Sequence, residues 1–217
     1  MSILQQAHFY TTVAKLDQLP MLGLPELAFA GRSNAGKSSA INTLCRQKRL
    51  AFASKTPGRT QHLNYFAIGA HAEDESLPAA FLVDLPGYGY AETDKVSKAH
   101  WGEELGAYLR TRDVLAGLVL IMDARRPMGR LDLALIEWFR VTGKPVHALL
   151  TKADKLNRSE AALTLAAVTD SLRAYSSEYS CALFSSLDRS GVESAERRVL
   201  EMLGLAHHEK RTPTQGE

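Results

Sequence analysis

The chain has 217 residues, of which 45% are hydrophobic and 23% charged, with a formal net charge of +2. These values suit one packed domain and exclude a disordered chain, and no apolar run approaches the ~20 residues of a membrane span. The charge is uneven. No Asp or Glu occurs from Leu27 to Ala72, where Arg32, Lys37, Arg46, Lys48, Arg49, Lys55 and Arg59 create a positive field suited to nucleotide phosphates or an RNA backbone.

In chain order, Met1 to Tyr10 lacks the basic start and apolar stretch of a signal peptide, and residues 1–22 read as an N-terminal extension. Glu26 to Ala30 is a short strand running straight into a glycine loop, and Ser38 to Gln47 is a helix. His62 to Gly69 and Ala80 to Leu85 are strands joined through a polar acidic turn at 71–78, a link too short for a parallel crossover. Lys95 to Thr111 is a helix, Gly117 to Asp123 a central strand, Leu131 to Val141 a helix and Pro145 to Leu150 a strand. Ser159 to Tyr175 is a helix with Ser159 as its cap, Cys181 to Phe184 a strand and Val192 to Leu203 a helix. This alternation predicts an α/β domain over 23–205: a mostly parallel six-stranded sheet with one antiparallel edge strand and helices on both faces. Residues 206–217 read as a flexible tail, with His207 and His208 solvated. Cys45 and Cys181 have no metal-ligand spacing and read as reduced thiols of a cytoplasmic protein.

Four motifs carry chemistry. Gly31-Arg32-Ser33-Asn34-Ala35-Gly36-Lys37-Ser38 matches G-x-x-x-x-G-K-S between a strand and a helix. Its glycines let backbone N–H groups converge on phosphate oxygens, the helix start adds positive character, Lys37 reaches the β- and γ-phosphates, and the Ser38 hydroxyl can bind Mg2+. Asp84-Leu85-Pro86-Gly87 ends a buried strand; Asp84 can hold Mg2+ through water, and the Gly87 N–H can meet a γ-phosphate. In Thr151-Lys152-Ala153-Asp154, the Asp154 carboxylate can accept both N1–H and N2–H2 of guanine, a donor pair adenine lacks, while the Lys152 stem lies over the base. Ser185-Ser186-Leu187 follows the last strand, which ends at Phe184, and its backbone N–H groups can meet guanine O6. Between the first two motifs, Lys55-Thr56-Pro57-Gly58-Arg59-Thr60 contains two hydroxyls, Thr56 and Thr60, either of which can sense a metal-bound γ-phosphate.

Taken together, GRSNAGKSS at 31–39, SKTPGRTQ at 54–61, LVDLPGYGYA at 82–91, TKADK at 151–155 and FSS at 184–186 resemble the EngB (YihA/YsxC) family of bacterial small GTPases, of the Ras-like translation-factor class. The resemblance runs from about His8 to Leu203. It implies a Ras-like P-loop GTPase fold, GTP and GDP binding, and Mg2+ held by Ser38, Thr60 and Asp84, which decides for Thr60 over Thr56. It places Lys37, Thr60 and Gly87 in the transfer step, and Gly58, Arg59 and Thr60 beside the nucleotide. The family is associated with assembly of the large ribosomal subunit, on rRNA and protein, and with normal division septum formation. A switch that recruits a division partner without RNA contact is the alternative. Neither DNA nor stable membrane insertion is expected.

Ras-like switches usually carry a Gln after D-x-x-G to orient the attacking water. Tyr88 stands there instead, so intrinsic hydrolysis is expected to be slow. Asn34 can help bind a stimulating K+, or Arg59 or a partner can supply transition-state charge. Tyr88 and Tyr90 either stack on unpaired bases in the GTP state or pack against the following helix.

Overall fold

The computed structural model describes residues 2–52, 62–69, 77–89 and 105–206. Its sheet has seven strands: β1 (His8–Val13), β2 (Glu26–Gly31), β3 (Leu63–Gly69), β4 (Pro78–Asp84), β5 (Leu115–Asp123), β6 (Val146–Thr151) and β7 (Ser180–Leu183). Their spatial order is β1-β3-β4-β2-β5-β6-β7. Strands β4, β2, β5, β6 and β7 run parallel, while β3 is antiparallel to both β4 and β1.

Two details differ from the sequence expectation. There are seven strands rather than six, and the antiparallel strand is not at the edge, because β1 covers it. The run His8-Phe9-Tyr10-Thr11-Thr12-Val13 is rich in aromatic and β-branched residues, which fit a pleated surface. Its alternation is blurred by an irregular register between Phe9 and Thr11 and by exposure of Phe9 and Tyr10. These features hide the strand from a period-two pattern. Pairing holds it: the Thr12 hydroxyl donates to Asn64 Oδ1 at 2.8 Å, and Phe9 sits edge-on to Phe66.

The helices are α1 (Lys37–Leu44), α2 (residues 105–111), α3 (Arg130–Phe139), α4 (Arg158–Arg173) and α5 (Val192–Met202). The rest of the expected helix from Lys95 lies outside the described residues. On one face of the sheet, Ala40, Ile41 and Leu44 of α1 and Ala195, Val199 and Leu200 of α5 pack on Phe29, Val119 and Ile121. On the other, Tyr108 of α2, Ile136 and Phe139 of α3 and Leu172 of α4 pack on Leu118, Leu120 and Leu150. Successive residues of β2 and β5 therefore face opposite cores, which is why both strands read as unbroken apolar runs. The cap of α4 is Asn157, not Ser159. Asn157 Oδ1 accepts from the Glu160 N–H and Glu160 Oε2 accepts from the Asn157 N–H, both at 2.9 Å.

At the N-terminal end of the sheet, Glu26 is only 1% exposed. Its carboxylate accepts from the Tyr65 and Tyr108 hydroxyls at 3.1 and 2.8 Å and from Arg112 at 2.6 Å. Arg112 also donates to the Pro20 carbonyl, tying the residues before β2 to the end of α2. Both thiols are free; burial pushes the Cys45 thiol up to about 12, leaving it inert.

Candidate functional site

The chain crosses from one side of β2 to the other, with β4 and β5 as its two neighbours. In an open α/β sheet, such a reversal opens a crevice at the carboxyl ends of the strands. Three of the four sequence motifs begin at those ends: after β2, β4 and β6. The fourth follows β7.

After β2, the chain turns sharply. Gly31 lies opposite Ile121, and a Cβ on it would stand 2.8 Å from the Ile121 carbonyl oxygen. Asn34 and Gly36 both adopt left-handed backbone, with φ of 65° and 98°. Two side chains from the end of β6 hold this loop. The Thr151 hydroxyl, buried, donates to the Ala35 carbonyl and reaches the Met122 carbonyl at 3.0 Å. Lys152 Nζ donates to the Asn34 carbonyl at 2.7 Å. A peptide unit is planar and trans, so holding the Ala35 C=O towards Thr151 aims the Gly36 N–H the opposite way, into the loop. Lys37 and Ser38 follow in the first turn of α1, where N–H groups have no intrahelical acceptor. Three consecutive N–H groups can thus converge on an anion. The Ser33 and Ala35 N–H groups are committed elsewhere, to the Tyr88 and Arg32 carbonyls.

From β4, Asp84 is 5% exposed, and its carboxylate pairs directly with the Lys37 ammonium. Lys37 and Ser38 are adjacent, so a hydroxyl and a carboxylate share one end of the phosphate loop. That pair suits Mg2+, a hard cation that completes its shell with phosphate oxygens and water. Among the described residues, no group of three His, Cys, Asp or Glu side chains could hold a metal unaided. Leu85 is buried, and its N–H donates to the Phe29 carbonyl. Pro86 leads on to Gly87, which passes so close to Ser33 that a Cβ would lie 3.1 Å from its hydroxyl oxygen. Gly58, Arg59 and Thr60 lie outside the described residues, as do Thr56 and Tyr90.

From β6 and β7, Asp154 meets Ser185. The Ser185 hydroxyl is fully buried, donates to Asp154 Oδ1 at 2.7 Å and accepts from the Leu187 and Asp188 N–H groups. That bond, followed by Lys155, holds the Asp154 carboxyl below its ordinary value, so it is an acceptor at neutral pH. Ala153 donates to the buried Phe184's carbonyl at 3.2 Å, which locks the two loops together. The Ser185 N–H is spent on the Ser190 carbonyl, so Ser186 is the donor that this run can offer a ligand.

Two carboxylates beside the loop, Asp123 and Asp132, escape the motif reading. Asp123 ends β5 opposite Thr151 of β6, and its carboxylate binds Arg125 at 2.7 Å and Lys152 at 3.0 Å. The Arg125 bond and then Lys152 hold it well below the usual carboxylate range. Its place at the carboxyl end of a central strand is the signal that could have found it. Asp132 and Tyr88 form the second pair. The Tyr88 hydroxyl donates to buried Asp132 Oδ1 at 2.7 Å. The Tyr88 ring is only 6% exposed, so it is not presented to an unpaired base, and it packs towards α3. A cleft of about 450 Å3 opens beside the loop between Arg32, Asn34, Asp123, Arg126 and Lys152.

The chain matches the family described as 50S ribosome-binding GTPase over residues 26–152. It is 54% identical over 219 aligned residues to a probable GTP-binding protein EngB of Janthinobacterium sp. (strain Marseille), covering 94% of this chain and 93% of that one. It is 58% identical over 202 residues to a protein of the same description from Burkholderia thailandensis, covering 91% and 90%. Among solved structures, it is similar to a probable GTP-binding protein engB with a TM-score of 0.59, at 19% identity over 82% of this chain and 98% of that one. It is also similar to the elongation factor SelB of Methanococcus maripaludis in complex with a GTP analogue, with a TM-score of 0.58 at 14% identity over 83% of this chain and 34% of that one. These structural likenesses bear on the fold, which is Ras-like.

Proposed function

This chain belongs to the EngB family of GTPases, and from that premise we propose that it is a magnesium-dependent, slowly hydrolysing guanine-nucleotide switch acting in assembly of the large ribosomal subunit. The observation that carries the nucleotide reading is the Ser185–Asp154 bond. It fixes an ionised carboxylate across from the phosphate loop, where one anion can accept two adjacent guanine donors. In this reading, the Gly36, Lys37 and Ser38 N–H groups and the Lys37 ammonium cradle the phosphates. Asp154 takes guanine N1–H and N2–H2, and the Ser186 N–H meets O6. The Lys152 stem covers the base while its head stays on Asn34 and Asp123. Ser38, Thr60 and Asp84 would hold Mg2+, which would neutralise charge on the phosphates.

The direction of the Tyr88 side chain supports slow intrinsic turnover, since its hydroxyl is committed to Asp132. The Asn34 carboxamide makes no hydrogen bond among the described residues, which leaves it available to a K+ ion beside the phosphates. Exchanging Na+ for K+ should then raise the hydrolysis rate; equal rates in both salts would remove that role. Arg59 is the other candidate for transition-state charge.

Two observations support a role in assembly of the large subunit, with rRNA and protein as partners: the matched family is one of 50S ribosome-binding GTPases, and residues 27–72 are free of acids. A cytoplasmic site of action and a role in septation accompany that reading. Among the described residues, no helix is long and apolar enough to cross a membrane. Cosedimentation with purified ribosomal subunits at several salt concentrations tests it. The protein should pellet with the large subunit in a non-hydrolysable GTP analogue, less so in GDP, and less as salt rises. Failure to pellet in any nucleotide state would leave the division-partner switch as the better reading.

A further inference from the structure

The segment that follows Asp84 is held at both ends. Asp84 is anchored in β4 beside β2, opposite Phe29. Four residues on, Tyr88 is fixed by its backbone and by its side chain. Its N–H donates to the Gly31 carbonyl at 3.2 Å, and its carbonyl accepts from the Ser33 N–H at 2.9 Å, a parallel bridge to the phosphate loop. Its hydroxyl donates to Asp132 Oδ1 at 2.7 Å, and Asp132 Oδ2 accepts from the Gly129 N–H at 2.9 Å. Asp132 is thus seated on the start of α3 and buried to 1%. Between these anchors, Gly87 is pressed against Ser33. Just after Tyr88, Gly89 has φ of 90°, a backbone that L side chains rarely adopt, and a Cβ there would meet Leu131 Cδ1 at 3.1 Å.

We infer that Asp132 is a positioning residue for the γ-phosphate contact: through the Tyr88 hydroxyl it holds Gly87 beside the phosphate loop before nucleotide binds. This rests on the reading above, in which the Gly87 N–H meets the γ-phosphate. GDP has no group for Gly87 to meet, so the tether matters to GTP alone. Without it, only the backbone bridge at Tyr88 holds this segment, and Gly87 must be ordered further when GTP binds. Fixing one residue's backbone costs on the order of tenfold in an equilibrium constant.

The experiment measures affinities for GDP and for a non-hydrolysable GTP analogue with Mg2+ present. Tyr88→Phe keeps the buried ring and removes only the hydroxyl. It should lower analogue affinity relative to GDP by about tenfold, the size of one lost bond to a buried carboxylate. Asp132→Ala, which removes the acceptor, should act in the same direction. The double variant should be no worse in this ratio than Asp132→Ala alone, since both changes break the same link. Equal losses for the two nucleotides, or additive losses in the double variant, would mean that the pair only supports the fold, and the inference would fail. Gly87→Ala separates this from the underlying reading. If it leaves the analogue-to-GDP ratio unchanged, the γ-phosphate role of Gly87 is wrong. If it shifts the ratio while Tyr88→Phe does not, only the positioning role of Asp132 is wrong.

Discussion

Replacing Thr151 with Val changes a hydroxyl for a methyl at nearly constant shape, at a site only 2% exposed. The lost hydroxyl is the one that donates to the Ala35 carbonyl and reaches Met122 O. One hydrogen bond disappears, and the Ala35 carbonyl, in a residue only 4% exposed, is left without its donor. Together these should cost about 2 kcal/mol of stability, or about 6 °C in melting temperature for a domain of this size. A second effect is functional. The peptide unit between Ala35 and Gly36 is no longer fixed, so the Gly36 N–H must be re-aimed whenever a phosphate binds. Affinity should fall by about tenfold for GDP and GTP alike. Lys152 still holds Asn34, so the loop does not come away entirely. Thermal melts and fluorescent-nucleotide titrations read both quantities on one preparation. Thr151→Ser, which keeps the hydroxyl, should recover most of each loss. A Val variant with unchanged melting and unchanged GDP affinity would refute the idea that β6 tethers the phosphate loop.

Asp154→Asn replaces an acceptor with a donor; GTP affinity should drop by at least about tenfold while xanthosine triphosphate binding improves, and unchanged GTP affinity would overturn the guanine assignment. Gly31→Ala forces a methyl to within 2.8 Å of the Ile121 carbonyl, a backbone atom that cannot yield without parting β2 from β5. Urea denaturation should show a loss of about 2 kcal/mol, and a variant as stable as the parent would show that the close approach is unimportant. Burial, aided by Arg198, pushes the pKa of His147 down to about 4 from an ordinary 6.5. As pH falls, the unfolded chain takes up this proton first, so the contribution is full above about pH 6.5 and is lost between there and pH 4, about 2 kcal/mol having gone by pH 5. His147→Asn can keep the bond to Ser180 Oγ and should flatten that slope in urea melts at pH 7 and pH 5; an identical slope would place the acid sensitivity elsewhere.

The glycine loop, the D-x-x-G turn and the T-K-A-D run were legible as strand ends because each is a local run. A tight turn needs glycine where φ is positive, and strand and helix periods repeat within a few residues. The five parallel strands were legible for the same reason, down to boundaries of a residue or two, and so were the helices, although α1 ends at Leu44, three residues before the expected Gln47. Strand β1 was not, since an edge strand with an irregular register carries little alternation and is recognised only by what it pairs with. Nor could the Glu26 cluster be read, because its carboxylate gathers Tyr65, Tyr108 and Arg112 from 39, 82 and 86 positions away. The same holds for the turn after β4. Sequence alone showed that Tyr88 is not the usual Gln, and left its ring free to stack or pack. Only the folded chain brings Asp132, 44 positions on, against its hydroxyl. Local pattern determined which chemistry this protein can perform. Contacts between residues far apart in the chain, whose partners no short-range rule can name, decided how firmly each reacting group is held.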